Sequence, residues 1–258
     1  PNLIDLGFSV YQARPVDGKL DGLPDEWGDD AFMINPGFMV SNSILRLRNT
    51  YQAYGIEYAR FVEHDQGTWN DSADHSISFA VGWKPDGLQV IVVVEDDEHE
   101  HGSDELLAGD TVQLVFTDDG THAFGDSPIP RKRATQHLIA ALKTTLSYNS
   151  GIAYNRDKEW AEQVIAEQAF GEGEFDLAIQ RKNLTSSPNT GTTIYEFRLS
   201  PQALGVKKLE AGQQFGMGIC VIDGDHDTPG FQGWSGWGPD SSAFELTPAE
   251  TGVLHLTE

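Results

Sequence analysis

The chain has 258 residues and a formal net charge of −23, from 40 acidic and 17 basic side chains. Nucleic acids and anionic membranes are poor partners for such a chain, because both are bound through clustered positive charge. The length allows one or two domains with a sizeable core. No run of residues is long and apolar enough to cross a bilayer, and no signal peptide is recognisable, so we expect a processed or trimmed chain.

The N-terminal region predicts an edge strand followed by a polar segment. Residues 1–19 contain a short alternating stretch, and residues 20–27 read LDGLPDEW. Asp21 and Asp25 have two possible roles, as calcium ligands or as caps of turns, and we favour the turns. Trp27 is expected to lie in the core near the rim of the fold.

Two aromatic-rich stretches, residues 31–73 and 148–170, show no long period. Loops of this length in compact domains usually carry function or their own structure. We therefore treat these two stretches as excursions that decorate the fold.

Residues 76–119 predict three strands. The first has apolar residues with a period of two, at Ile77, Phe79, Val81 and Trp83. A Pro-Asp-Gly turn at residues 85–87 separates it from residues 88–94, whose nearly continuous β-branched run indicates a strand covered on both faces. Alternation returns at residues 111–116, which predicts one buried face for the third strand.

An acidic loop, EDDEHEHGSDELLAGD, joins the second and third of these strands. It places many oxygen atoms at one rim of the sheet, and oxygen-rich rims attract hard cations, most often calcium. Asp96, Asp97 and Asp110 are the candidate ligands. A solvated acidic loop without metal is the alternative for any one of them. His99 and His101 form a weak H-x-H pattern for a transition metal.

The second half of the chain predicts further strands. Residues 135–147 suit a strand with two apolar faces, although their composition also allows a helix. Strands are also predicted at residues 175–181, 193–199 and 214–222. Residues 200–204 predict a short helix with Ser at its N-cap and Pro at its first position. In residues 214–222, Gly216 and Gly218 leave one face thin, and Cys220, the only cysteine, is expected to be buried.

The loop at residues 223–240 reads DGDHDTPGFQGWSGWGPD. Asp223 and Asp225 are candidate metal ligands, although the EF-hand pattern is not met. Glycine flanks Trp234 and Trp237, so little local side chain is present to bury them. Two interpretations stay open: an exposed aromatic platform for a sugar, or tryptophans that close the end of the core.

Several of these segments form an ordered set of motifs. They are residues 20–27 (LDGLPDEW), 82–84 (GWK), 87–90 (GLQV), 95–97 (EDD), 109–114 (GDTVQL), 195–201 (YEFRLSP) and 250–256 (ETGVLHL). The set resembles the family 9 carbohydrate-binding modules of the DOMON-like superfamily, and it spans the chain.

The resemblance implies an all-β fold, a β-sandwich of mainly antiparallel strands with long loops and one or two short helices. It implies non-catalytic binding of a polysaccharide or oligosaccharide by a module of a secreted, extracellular bacterial carbohydrate-active protein with a possible tethered catalytic domain. It also implies structural calcium. The family's two-Trp sugar clamp is missing, because Leu106, Leu107 and Phe244 stand near its two places. Either sugar contacts relocated aromatics, or the chain has the fold without the usual ligand. The candidate ligand-binding aromatics are Trp69, Tyr148, Tyr154, Trp160, Trp234 and Trp237. The resemblance also implies a single domain over residues 1–258, with insertions at about residues 31–73 and 148–170.

Two other functions are alternatives on the same fold. One is a polysaccharide-degrading domain, for which no carboxylate pair stands out among so many acids. The Gly233–Gly236 stretch falls short of a nucleophile elbow. The other is a DOMON-like haem module, which would need an axial ligand such as Met217 with a His or Lys. Nothing in the sequence argues positively for catalysis.

Overall fold

The computed structural model describes residues 10–28, 33–35, 39–40, 61–64, 67–101, 109–117, 134–142, 149–154, 164–165, 173–184, 187–225, 232–238, 241–242 and 251–258. These ranges contain fifteen β-strands and no regular helix. No helix in them is long and apolar enough to cross a membrane. In chain order the strands are β1 (Val10–Pro15), β2 (Met33–Asn35), β3 (Met39–Val40), β4 (Phe61–Glu63), β5 (His75–Lys84), β6 (Gly87–Asp96), β7 (Thr111–Thr117), β8 (Ala134–Leu142), β9 (Asn149–Tyr154), β10 (Val164–Ile165), β11 (Phe175–Leu184), β12 (Ser187–Leu199), β13 (Gln214–Asp223), β14 (Gly233–Trp237) and β15 (Gly252–Leu256).

The strands form two sheets that share β1. The first has the order β10-β9-β8-β7-β13-β15-β1, and the second the order β1-β5-β6-β12-β11. The first part of β1 pairs with β15, and its last two residues pair with β5. Strand β14 lies beyond β15 along β13 and pairs with β4. All pairs are antiparallel except those of β1 and the β3–β4 pair, so the predicted mainly antiparallel sandwich is confirmed.

The core lies between the two sheets, and the alternating apolar residues point into it. The prediction of a single buried face for residues 111–116 is wrong, because every residue of β7 is buried. Inward side chains of β5, β6 and β12 join those of β7 and β13 in one buried cluster. Strand β6 is covered on both faces over most of its length, as its continuous apolar run predicts. The segment whose composition also allowed a helix is strand β8, because it pairs with β7 and β9 on its two sides. Tertiary pairing here outweighs helix propensity.

The short helix predicted after β12 is instead a set of hydrogen-bonded turns. The Ser200 hydroxyl accepts a hydrogen bond from the Ala203 N–H (3.3 Å), as the predicted cap requires. The Val206 N–H then donates to the Pro201 carbonyl (2.9 Å), a bond that closes the turn. Gly205 has a φ of +76°, and a residue in this left-handed conformation ends a helix. The segment therefore stops after one turn.

Residues 16–28 cross the outer face of the second sheet and are anchored by a buried carboxylate. Glu196 Oε2 accepts hydrogen bonds from the backbone N–H groups of Asp21 and Gly22, each at 2.9 Å. The Asp21 side chain caps the Leu23 N–H (3.0 Å), which supports the turn role over a calcium ligand. Trp27 is buried against an apolar patch of the sheet, as expected.

Glu196→Ala should destabilise the protein by about 2–3 kcal/mol, because it leaves two backbone N–H groups without their charged acceptor. Urea denaturation measures the loss. Glu210→Ala is the control, because the Glu210 side chain is half exposed and forms a surface ion pair with Lys208. Equal losses in the two variants would show that Glu196 does not anchor this segment.

Candidate cation site and aromatic surface

Four strand ends meet at one rim of the sandwich and bring six carboxylates together. In the second sheet β5 begins where β6 ends, with His75 opposite Asp96. In the first sheet β7 begins where β13 ends, with Thr111 opposite Ile222. The carboxylates at this rim, called the acidic cluster below, are Asp74, Asp96, Asp97, Asp110, Asp223 and Asp225.

The acidic cluster contains three groups whose ligand atoms lie within 4.8 Å of one another. They are Asp96, His99 and Asp110; Asp74, Asp223 and Asp225; and Asp96, Asp97 and Asp225. All five aspartates predicted from the sequence as metal ligands are present, and their role as ligands stays a prediction. No local pattern pointed to Asp74, which follows directly after the aperiodic stretch of residues 31–73. The antiparallel pairing of β5 with β6 places it there.

Asp110 joins the acidic loop to the end of β13. Its Oδ2 accepts a hydrogen bond from the Glu100 N–H (2.6 Å), and its Oδ1 accepts one from the Gly224 N–H (3.1 Å). The preceding Gly109 has a φ of +136°, and a Cβ there would lie 2.2 Å from the Glu100 carbonyl oxygen. Only glycine fits at this position, where the chain passes close to the Glu100 carbonyl. The backbone conformation at Gly109 therefore places the Asp110 side chain in the acidic cluster.

One end of the cluster carries its own positive charge. His99 Nδ1 lies 3.1 Å from Asp110 Oδ2 and 3.4 Å from Asp96 Oδ2, and Arg181 lies 3.5 Å from the same Asp96 atom. Burial lowers the pKa of His99, but the charge and hydrogen bond of Asp110 outweigh it and raise that pKa to about 10. The role of His99 and His101 as transition-metal ligands stays a prediction.

At the other end of the cluster, burial and neighbouring negative charges raise the pKa values of two carboxyl groups. Burial, reinforced by the charge of Asp223, raises the pKa of Asp225 to about 8. Burial also raises the pKa of Asp74 to about 6, with the charges of Asp223 and Asp97 adding to it. Ionising these groups together is costly unless a cation is present.

The donor set fits a hard cation. Asp223 Oδ1 accepts a hydrogen bond from His75 Nδ1 (3.0 Å), while its Oδ2 is buried and has no hydrogen-bond partner in the part of the chain that the structure describes. An unsatisfied buried carboxylate oxygen is costly, and the group around it offers only oxygen atoms, the ligands calcium prefers. Calcium would be held by Asp74, Asp96, Asp97, Asp223 and Asp225, and it would supply the positive charge that offsets their repulsion.

Behind the cluster, His75 links Asp223 to a serine. His75 Nε2 lies 2.8 Å from Ser235 Oγ, so Asp223, His75 and Ser235 form a hydrogen-bonded chain. Each of the three residues is 1% exposed, so no substrate reaches the hydroxyl. Ser235 also lies within strand β14 rather than on a strand-to-helix turn. The arrangement therefore orients Asp223 and is not a nucleophilic triad.

The predicted platform of exposed tryptophans in the 223–240 loop is wrong. Trp234 is 1% exposed and Trp237 is 0% exposed. They are three residues apart in a strand, so their side chains point to opposite faces. Trp237 enters the main core, where its ring stacks on Phe79 at 5.6 Å. Trp234 packs on the other face of the first sheet, against Val62 and its neighbours, beneath β4.

Trp69 is the partly exposed tryptophan among the described side chains, and it lies beside the acidic cluster. Its indole N–H donates to the His75 carbonyl (2.9 Å), and its backbone N–H donates to Glu63 Oε1 (3.3 Å). These bonds hold one edge of the ring. Of the other predicted aromatics, Tyr154 ends strand β9 with only its backbone described, and Tyr148 and Trp160 lie outside the described residues. So do Leu106, Leu107 and Phe244.

The thin face of β13 is filled by protein rather than by a cofactor. A Cβ at Gly216 would lie 2.1 Å from Thr117 Oγ1, and one at Gly218 would lie 2.0 Å from Ser241 Oγ. Met217 is buried in the core between the sheets. In the described part of this face the close packing disfavours the haem alternative.

No family model matches the sequence, and no curated protein matches it significantly. Solved structures do match the fold. A family 9 carbohydrate-binding module from Caldicellulosiruptor kristjanssonii in complex with glucose has a TM-score of 0.56 and 13% identity, covering 96% of this chain and 95% of that one. The same organism's module in complex with cellotriose has a TM-score of 0.53 and 14% identity, covering 96% and 93%. The chain therefore has the β-sandwich fold of the family 9 carbohydrate-binding modules.

Proposed function

We propose that this chain is a non-catalytic carbohydrate-binding module that recognises a polysaccharide or oligosaccharide. The observation that carries the proposal is the fold match, which extends over 96% of the chain to modules in complex with glucose and cellotriose. We further propose that the module works outside the cell as part of a secreted bacterial carbohydrate-active protein, tethered to a catalytic domain. The strongly acidic composition suits this setting, where millimolar calcium sites are common.

The geometry of the acidic cluster fits a binding module better than a glycoside hydrolase. Glycosidases need two accessible carboxyl groups about 5–5.5 Å or about 6.5–9.5 Å apart, on either side of the scissile bond. Within each of the three groups described above, the ligand atoms lie within 4.8 Å of one another, and Asp96, Asp110 and Asp223 are buried. In this proposal their side chains would face each other and a bound cation rather than a sugar ring.

Trp69 is the described aromatic best placed to contact a sugar. An indole presents a flat apolar face to the CH groups of a pyranose ring, and its N–H here is already satisfied by His75. Contact through this ring would relocate the sugar site from the family's missing two-Trp clamp to the rim that carries the acidic cluster.

Trp69→Ala should weaken glycan binding at least about tenfold, because central tryptophans dominate interface energies. Affinity electrophoresis against plant and algal polysaccharides, with cellotriose as competitor, measures the change. Trp69→Phe keeps a ring and should retain part of the affinity. Asp176→Asn, at an exposed position of β11, is the control that should bind like wild type.

The outcomes separate the function from the site. If wild type is retained by no glycan, the proposed function fails. If wild type is retained and Trp69→Ala is retained equally, the function stands and the sugar contacts other residues.

A further inference from the structure

Asp74 connects the loop that carries Trp69 to the acidic cluster. Asp74 Oδ2 accepts a hydrogen bond from the Asn70 N–H at 2.5 Å, next to the tryptophan in sequence. The Asp74 carbonyl accepts one from the Asp97 N–H (3.3 Å), which ties it to the end of β6. Asp74 also has a carboxylate oxygen within 4.8 Å of ligand atoms of Asp223 and Asp225. One residue therefore belongs both to the loop and to the cation site.

A second connection runs through His75. Its side chain holds Asp223 by Nδ1 and Ser235 by Nε2, while its carbonyl oxygen accepts the Trp69 indole N–H. Phe61 packs edge-on against the imidazole at 5.1 Å and fixes the ring from the side of β4. The cluster and the tryptophan thus share a rigid neighbour in addition to Asp74.

The direction of the coupling follows from the charges. Without a cation, the Asp74 carboxylate faces those of Asp223 and Asp225, in a site where Asp223 Oδ2 has no hydrogen-bond partner among the described residues. This repulsion favours displacement of the Asp74 carboxylate, which lies in a turn just before β5 rather than in a strand. Displacing Asp74 would break its bond to Asn70 and release Trp69. With positive charge among the carboxylates, Asp74 stays in place and the loop is fixed.

We propose that the cation site and Trp69 form one coupled unit, in which a divalent cation at Asp74, Asp223 and Asp225 fixes the Trp69 loop and thereby raises carbohydrate affinity. Only the last step, the gain in carbohydrate affinity, rests on the proposed function. Fixing a contact residue in advance reduces the entropy lost on binding, and a coupling of ordinary size changes affinity at least about fivefold.

Fluorine NMR tests the coupling without any sugar. The six tryptophans are labelled as 5-fluorotryptophan, and Trp69→Phe and Trp83→Phe assign two of the signals. Trp83 is the internal control, because it lies at the far end of the same strand that His75 begins and its indole N–H is held by the Thr257 carbonyl. On addition of calcium chloride the Trp69 signal should shift or sharpen, while the Trp83 signal stays unchanged.

Two variants separate coupling from simple loss of a ligand. Asp74→Ala and Asp97→Ala each remove one cluster carboxylate, and of these two side chains it is Asp74 that accepts a hydrogen bond from the described part of the Trp69 loop. At calcium concentrations shown by calorimetry to saturate each variant, Asp97→Ala should still show the Trp69 change and Asp74→Ala should not. Identical behaviour of the two variants would overturn the proposal. If Asp74→Ala does not fold, the wild-type titration of Trp69 against Trp83 decides.

The failure of the coupling and the failure of the proposed function are distinguishable. An unchanged Trp69 signal at saturating calcium, or no calcium binding by calorimetry, overturns the coupling whatever the glycan result. A Trp69 change together with no glycan retention supports the coupling and overturns the carbohydrate function. With both present, cellotriose or the retained polysaccharide should bind at least about fivefold more weakly after EDTA treatment, and an unchanged affinity would overturn the last step.

Discussion

Trp237→Ala is expected to destabilise the protein by about 3–5 kcal/mol, a large share of the stability of a typical domain. The ring is completely buried, stacks on Phe79 and lies 6.2 Å from Tyr11 between the two sheets. The indole also fills the space in front of Gly252, where a Cβ would lie 2.3 Å from it. Truncation therefore leaves a cavity that the surrounding strands cannot close.

Urea denaturation and thermal unfolding measure this loss. Trp69→Ala is the matched control, since it removes the same side chain from a partly exposed position and should cost only about 1 kcal/mol. If Trp237→Ala unfolded like wild type yet lost glycan binding, Trp237 would be a ligand contact and its burial between the sheets would be contradicted.

The second large effect is expected from calcium and pH together. Asp74 and Asp225 have pKa values raised from 3.8 to about 6 and about 8, so the cation-free folded protein binds their protons more tightly than the unfolded chain. The stability gained from those protons is complete below about pH 4 and is lost as the pH rises towards 8. His99, raised from 6.5 to about 10, loses its contribution in the same direction above pH 6.5.

In EDTA the protein should therefore be less stable at pH 8 than at pH 5, by at least about 1 kcal/mol after discounting for solvent screening. Calcium at about 100–1,000 times its dissociation constant should add about 2.7–4.1 kcal/mol, and more at pH 8 than at pH 5, because the ligands must be deprotonated. Thermal unfolding at the two pH values, with and without calcium, measures both effects.

Asp223→Asn and Asp176→Asn make the matched comparison for this effect. The two substitutions are chemically identical, but only Asp223 lies in the acidic cluster, and Asp176 is exposed on β11. Asp223→Asn should lose most of the calcium-dependent gain, while Asp176→Asn should keep all of it. Equal gains in both variants would place the cation elsewhere.

The strands were predictable because each carries a strong local pattern. Alternation in β5 and the continuous run of β6 reflect how much of each strand is covered, and burial in the structure follows them. Alternation in β13 marks the residues that face the core, but its other face is buried as well. The gathering of acidic side chains was also predictable, since strand ends of a sandwich meet at a rim and the aspartates follow or precede apolar runs.

The burial of the two tryptophans and the position of Asp74 could not be predicted, because both depend on pairing between strands that are far apart in the sequence. Glycine beside Trp234 and Trp237 suggested exposure, but in strand β14 it permits close approach to neighbouring backbone, and a Cβ at Gly236 would lie 1.9 Å from the Ile219 carbonyl oxygen. The tryptophans are buried for that reason. Asp74 joins the cluster only through the register of β5 on β6, which a single sequence does not reveal.

A glycan array probed with wild-type protein in calcium and again in EDTA is the decisive experiment for the proposed function. We expect binding to at least one oligosaccharide or polysaccharide in calcium and weaker binding in EDTA. Correctly folded, calcium-saturated protein that binds no glycan on the array would contradict this expectation and leave the chain with the fold but not the function.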